Sequence, residues 1–236
     1  MCLPLAWTTP LNIPLHTMIN WNQIDSVFLD MDGTLLDLNF DNQFWKNLLP
    51  QRYAERHGLD TESAHEILSP LFKEVEGQLE WYCLDYWSAQ LALDVPALKR
   101  ELAELIEILP HVVDFLCAVK ALEKRLVLVT NAHPKSFELK MEKTELRHWF
   151  DQIVIAHELG LPKENPQFWE RLHAVEPFQP ERALMVDDSL SVLRSARNAG
   201  IHTLAISLHD SQQPARVITE FPAIRDFREI MPDQTS

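Results

Sequence analysis

Ser26-Val-Phe-Leu-Asp-Met-Asp-Gly-Thr34 decides the fold. Val27, Phe28 and Leu29 make a short apolar strand that stops at two carboxylates, Asp30 and Asp32, before Gly33 and Thr34 turn the chain away. Successive strand residues point to opposite faces, so Asp30 and Asp32 leave the strand end on the same side. Carboxylates held that close repel, and both stay ionised only beside a cation or another positive partner. An Mg2+ ion, with one carboxylate free to attack, is the simplest arrangement that satisfies them.

Downstream of about residue 109, strand-like and helix-like segments alternate. Arg125-Leu-Val-Leu-Val-Thr130 is a continuous apolar run of the kind buried in parallel sheets. Pro134 stands where a helix begins, with Phe137, Met141 and Leu146 behind it. Phe150 to Ala156 reads as a strand, Asn165-Pro166 as the opening of a helix to about Val175, and Ala183 to Val186 as a strand running into Asp187-Asp188. Ser189 to Ala199 is a helix closed by Gly200 in the left-handed conformation, and Ile201 to Ile206 is another strand. This alternation predicts an α/β fold, a doubly wound parallel sheet with helices on both faces.

The stretch 39–108 differs. Helical spacing runs through it, as in Leu98, Leu102, Leu105 and Leu109, and no strand stands out. It reads as an inserted helical cap, giving a core of residues 18–38 and 109–236. Its 13 acidic and 6 basic residues make a solvated acidic face.

Residues 1–17 are apolar but broken by Pro4, Pro10 and Pro14 and lack a basic leader, so they read as a loose tail. The three cysteines, Cys2, Cys83 and Cys117, are odd in number and far apart, which suits free thiols in a reducing, cytoplasmic setting. The formal charge of −14 disfavours a nucleic-acid polymer or an anionic membrane as partner, since both require a broad basic surface. A small anionic substrate remains compatible, provided local cations outweigh the global field.

In open parallel sheets, ligands bind beyond the carboxyl ends of the strands. Asp30 with Asp32, Thr130 with Asn131, Lys163, and Asp187 with Asp188 all fall at or just past such ends. They suit phosphoryl transfer, which needs an in-line nucleophile, neutralised equatorial oxygens and a proton donor for the leaving oxygen. Each also has a plainer reading: Asp187-Asp188 as a helix cap, Asn131 as a satisfied turn residue, His133 as turn surface.

In their order, Asp30-Met-Asp-Gly-Thr34, Thr130-Asn131, Lys163 and Asp187-Asp188 resemble the four motifs of the haloacid dehalogenase superfamily, phosphatase branch. The match covers about residues 21 to 230, and the insert resembles that superfamily's helical cap. The resemblance implies that Asp30 is the nucleophile and forms an aspartyl-phosphate, while Asp32 protonates the leaving alkoxide and then activates water. It implies that Thr130 and Lys163 bind the phosphoryl group. Mg2+ would be held by Asp30, Asp187, the Asp32 backbone carbonyl and Asp188, the last in the outer shell or as a second ligand.

Within the superfamily, Leu36-Asp-Leu-Asn-Phe-Asp-Asn-Gln-Phe-Trp45, Trp81-Tyr-Cys-Leu-Asp-Tyr-Trp87 and Thr130-Asn-Ala-His-Pro134 are similar to bacterial purine 5'-nucleotidases acting on GMP and IMP. That similarity implies a purine 5'-mononucleotide as substrate, with Trp81, Tyr82 and Tyr86 of the insert facing the base. On one helix Tyr82 and Tyr86 would share a stripe and Trp87 would lie about 100° away from Tyr86. Packing inside the insert is the plainer reading for any one of these rings. Another small-molecule phosphatase or a phosphosugar mutase is the alternative enzyme. A dehalogenase has no use for the Asp32 acid, and a silent binding module would have lost part of the set. Oligomeric state is not readable from these patterns.

Overall fold

The computed structural model describes residues 19–232; the tail expected at 1–17 lies outside the described residues. Six strands form one sheet: β1 (Ser26–Leu29), β2 (Arg125–Thr130), β3 (Gln152–Ile155), β4 (Ala183–Asp187), β5 (His202–Ile206) and β6 (Ala223–Ile224). Their order is β3-β2-β1-β4-β5-β6, and every pairing is parallel. The doubly wound α/β reading therefore holds.

Burial on both faces explains the apolar runs. Val27, Leu29, Leu126, Leu128 and Val186 pack under the helices Val112–Ala121 and Pro134–Thr144, through Phe115, Leu116, Phe137 and Met141. The alternate residues Phe28, Val127, Val129 and Met185 pack under Gln167–Val175 and Leu190–Asn198, through Phe168, Trp169, Val192 and Leu193. Each such side chain contributes about 1.5–3 kcal/mol by leaving water, so strands this short are held by the layers on either side.

Local signals place most of the boundaries. His133 precedes Pro134 as the N-cap, its Nδ1 accepting the Lys135 N–H at 3.3 Å. Asn165 accepts the Gln167 N–H at 2.9 Å where that helix opens. Gly200 takes φ +85° after the helix ending at Asn198.

Between β1 and β2 the chain makes short helices: Asn39–Gln43, Leu49–His57, Thr61–Glu74, Leu79–Tyr82, Leu84–Leu91 and Val95–Arg100, with a π turn at Phe44–Leu48. They enclose their own apolar cluster around Phe44, Leu68, Leu84, Trp87 and Leu91. The leucine spacing after Leu98 does not continue as one helix. Ala103–Leu105 is a 3-10 turn, and the Leu109 N–H donates to the Leu35 carbonyl at 2.9 Å. Leu109 thus belongs to the return into the core, where pairing of Ile108 with Leu36 claims the backbone.

Candidate active site

The chain order of the strands reverses on the two sides of β1, which makes the gap between β1 and β4 a switch point. Asp30 follows β1 directly, its N–H donating to the Val186 carbonyl at 3.0 Å, and Asp187 ends β4. Lys163 closes the space between them. Its Nζ lies 2.5 Å from Asp30 Oδ1, 2.7 Å from Asp187 Oδ2 and 3.1 Å from the Val129 carbonyl. The Lys163 side chain is 2 % exposed, so these are desolvated charge-assisted bonds. Chain separations of 133 and 24 residues vanish at this sheet edge.

Burial dominates the electrostatics. It pushes the Asp30 carboxyl up to about 6, against the Lys163 ammonium that pulls it down. Burial also raises Asp187, and it raises Asp188 well above the usual carboxylate range with Asp187 and Asp30 adding to the effect. Burial alone would lower Lys163, yet Asp187 and Asp30 hold it above its ordinary value. Carboxylate oxygens of Asp30, Asp187 and Asp188 all lie within 4.8 Å of one another. This is a hard oxygen donor set whose carboxyls repel, and a divalent cation such as Mg2+ is what would let all three ionise together. The residues fit the ion.

Asp32 turns elsewhere. Its Oδ1 accepts from Lys140 Nζ at 2.6 Å, and the same ammonium donates to Asp41 Oδ2 at 2.6 Å. Lys99 of the insert reaches Asp41 Oδ1 at 2.5 Å. Burial pushes Asp32 up to about 6, opposed by Lys140 and helped by Asp41 and Asp30. The Asp32 side chain is therefore outside the acidic cluster. Lys140 and Lys99 carried no motif and Asp41 lay unremarked in the segment Leu36 to Trp45, and only the 3.6-residue face of the Pro134–Thr144 helix hinted that Lys140 points inward with Phe137 and Met141.

Thr130 and Asn131 stand at the end of β2, both buried. Thr130 Oγ1 accepts the Ala132 N–H at 3.0 Å. Asn131 Oδ1 accepts the Lys163 N–H at 2.9 Å, and its amide donates to Glu164 Oε2 at 3.0 Å. Asn131 thus fixes the loop that presents Lys163. Of the pair that could cap the following helix, Asp187 makes the contact: its Oδ1 accepts the Ser189 N–H at 2.8 Å, while the Asp188 carbonyl accepts from Arg216 at 2.6 Å.

A cleft of about 330 Å³ opens over these groups, within the range of small-molecule sites. Asp30, Asp32, Thr130, Lys163 and Asp187 line it from the sheet edge, which is its floor, and Trp45, Trp81 and Tyr82 of the insert line it as an aromatic wall. Tyr82 donates to Glu164 Oε1 at 2.6 Å, and burial with that carboxylate holds the phenol above its ordinary range. Tyr86 is not where the shared-stripe argument put it. Cys83 is extended (φ −84°, ψ 107°) and divides Leu79–Tyr82 from Leu84–Leu91, so Tyr82 and Tyr86 occupy different helices. Tyr86 packs edge-on against buried Trp87, with ring centroids 5.0 Å apart, inside the insert's own core.

Comparison with known proteins shows the family. The family model of haloacid dehalogenase-like hydrolases matches residues 24–200. The chain belongs to that family. The hydrolase is 37 % identical over 219 residues to the GMP/IMP nucleotidase YrfG of Escherichia coli, covering 92 % of this chain and 99 % of that one. It is 27 % identical to the pyrimidine 5'-nucleotidase YjjG of the same organism, over 80 % of this chain and 89 % of that protein. Among solved structures, a phosphatase of the same superfamily from Thermococcus onnurineus superposes with a TM-score of 0.71 at 22 % identity, covering 88 % of this hydrolase and 96 % of the other chain. The L-2-haloacid dehalogenase of Xanthobacter autotrophicus superposes with a TM-score of 0.56 at 15 % identity, covering 80 % of each chain. At such identities both structures speak to the hydrolase's fold alone. No helix among the described residues is long and apolar enough to cross a membrane.

Proposed function

We propose that this hydrolase is an Mg2+-dependent 5'-nucleotidase that releases phosphate from purine mononucleotides such as GMP and IMP through an aspartyl-phosphate. The observation that carries the reading is the meeting of Asp30, Lys163 and Asp187 on a cleft floor that faces Trp45, Trp81 and Tyr82. A charged floor suits a phosphoryl group and an aromatic wall suits a base, which stacks at about 1–3 kcal/mol on such rings. The relative at 37 % identity over nearly its whole length supports the same substrate class.

The chemistry of this reading is the one the superfamily resemblance implies for these residues. An Asp30 carboxylate oxygen attacks phosphorus in line with the ester oxygen. The phosphorus–oxygen ester bond breaks as the Asp32 carboxyl gives its proton to the leaving nucleoside alkoxide. The Asp32 carboxylate then takes a proton from water, whose oxygen attacks the aspartyl-phosphate and restores Asp30. An Asp32 carboxyl pushed up to about 6 is matched to such two-way proton traffic near neutral pH. Lys163 and Thr130 hold the equatorial oxygens. Mg2+, held by Asp30, Asp187 and Asp188, would supply further neutralisation of phosphoryl charge.

The test is phosphate release with Mg2+ across nucleoside monophosphates, phosphoglycolate and sugar phosphates, compared as kcat/KM. GMP and IMP should lead. Preference for phosphoglycolate or a phosphosugar would defeat the nucleotidase reading while sparing the phosphatase one.

A further inference from the structure

A second cluster of metal-ligating side chains lies beside the cleft and is used by none of the chemistry above. Cys83 Sγ and ring nitrogens of His133 and His157 all lie within 4.8 Å of one another. Three separate elements supply them. Cys83 is the extended break between two insert helices, His133 caps the helix that follows β2, and His157 sits in the short helix Ala156–Leu159 that follows β3.

His157 is the anomaly. Both of its ring nitrogens are buried and have no hydrogen-bond partner among the described residues. Leaving a buried polar atom without a partner costs about 1–3 kcal/mol, so such a group calls for an explanation. His133 uses Nδ1 to accept the Lys135 N–H, and its Nε2 lies 3.6 Å from Asp85 Oδ2, beyond a good hydrogen bond. The two imidazoles meet edge to face with centroids 5.0 Å apart. Burial lowers both histidines, His157 to about 4 with His133 adding to the effect, so each is neutral at neutral pH with one ring lone pair; the one that His133 now offers the Lys135 N–H in a long 3.3 Å bond is given up when the ring binds an ion. Neutral imidazole is the form that binds metal.

We propose that Cys83, His133 and His157 form a site for a borderline-soft divalent ion of the zinc class, bridging the helical insert to the sheet. The donor set decides the ion: one sulfur and two imidazole nitrogens suit zinc and its first-row neighbours, whereas Mg2+ takes oxygen ligands. Zinc–ligand lengths place tetrahedral donor atoms roughly 3.3–3.7 Å apart, so groups already within 4.8 Å of one another need draw in by about 1.5 Å at most. Asp85, in the first turn of the Leu84–Leu91 helix, is already paired with Lys135 Nζ at 2.5 Å, which leaves the fourth position to water. The Cys83 sulfur now accepts the Tyr86 N–H at 3.4 Å, a bond that a thiolate strengthens.

Such an ion joins the insert to the core next to the wall of the cleft, because Tyr82 and His133 both line it. Substrate and product must pass between these two parts. Zinc bound here therefore slows turnover by holding the insert down, independently of the acidic cluster around Asp30.

Cobalt(II) reports the site directly, because cysteine ligation adds thiolate-to-metal charge transfer in the near ultraviolet to the visible bands of tetrahedral cobalt. The protein is titrated with cobalt in excess Mg2+, which occupies the oxygen site. One equivalent should develop both features in the wild type and in Asp187→Asn, and zinc should bleach them. Cys83→Ser, which keeps Cys2 and Cys117, should lose the charge-transfer band, and His157→Gln should weaken cobalt binding by about tenfold or more. Zinc inhibition in excess Mg2+ should weaken in parallel. Absence of the band in the wild type, or its survival in Cys83→Ser, overturns the assignment whatever the enzyme's substrate proves to be.

Discussion

Asp30 carries the burden of the proposed chemistry, and its isosteric replacement separates reaction from folding. Asp30→Asn keeps the size of the side chain and removes the attacking oxygen's charge, so phosphate release should fall by about a thousandfold or more with the far-ultraviolet dichroism unchanged. Release near the parental rate would exclude covalent catalysis by this group. Lys140 tests a different kind of dependence. Its ammonium sits between Asp32 and Asp41 and is buried, so Lys140→Met strands the Asp32 carboxylate without its cation, while Asp41 keeps Lys99. Breaking a buried pair from one side costs about 3–5 kcal/mol, which urea unfolding should register. His157 fixes a pH response. Its folded value is depressed to about 4 against 6.5, so the unfolded chain binds the proton first as pH falls. Its contribution to stability is whole above about pH 6.5 and drains away as pH falls toward 4. In the apo-protein His157→Gln should flatten that part of the pH–stability curve, and an unchanged curve would show that the ring is solvated.

At the scale of single elements, the turn after β1 is the tightest joint. Gly33 has φ +81°, and a Cβ there would lie 2.8 Å from Asp188 Cγ. Gly58 has φ +66° at the end of an insert helix, and a Cβ there meets nothing within 4 Å. Gly58→Ala should therefore cost only the left-handed backbone, about 1–2 kcal/mol. Gly33→Ala should cost that and also shift Asp188, lowering both melting temperature and Mg2+ affinity. Equal effects of the two substitutions would mean that the turn yields freely. The same element shows what was legible in the residues alone. Strands buried on both faces announce themselves as unbroken apolar runs, and each of β1, β2 and β4 runs into a polar group that the proposed chemistry uses. The two-residue β6 has no such run, since pairing with β5 rather than composition makes it a strand. The break at Cys83 was equally silent, because Trp81 to Trp87 suits a continuous helix until Trp87 Nε1 donates to the Trp81 carbonyl at 3.0 Å. Lys140, Lys99 and Asp41 look like ordinary surface charges in the chain, and only tertiary packing turns them inward.

For the molecule as a whole, the acidic cluster predicts that a divalent ion stabilises the fold. An ion that binds only the folded chain adds about 2.7 kcal/mol at a hundred times its dissociation constant. Mg2+ should raise the melting temperature of the wild type, and Asp187→Asn should lose most of that rise. A rise unaffected by Asp187→Asn would place the ion elsewhere. The insert and the sheet are joined at closely spaced crossings: the Asp37 N–H donates to the Glu107 carbonyl at 2.9 Å, and Leu36 pairs with Ile108. A segment whose two ends are neighbours behaves as a cassette. Another helical module spliced in at these two points leaves the strand register untouched, and it serves the same reacting groups only if it again offers Lys140 a carboxylate in the place of Asp41.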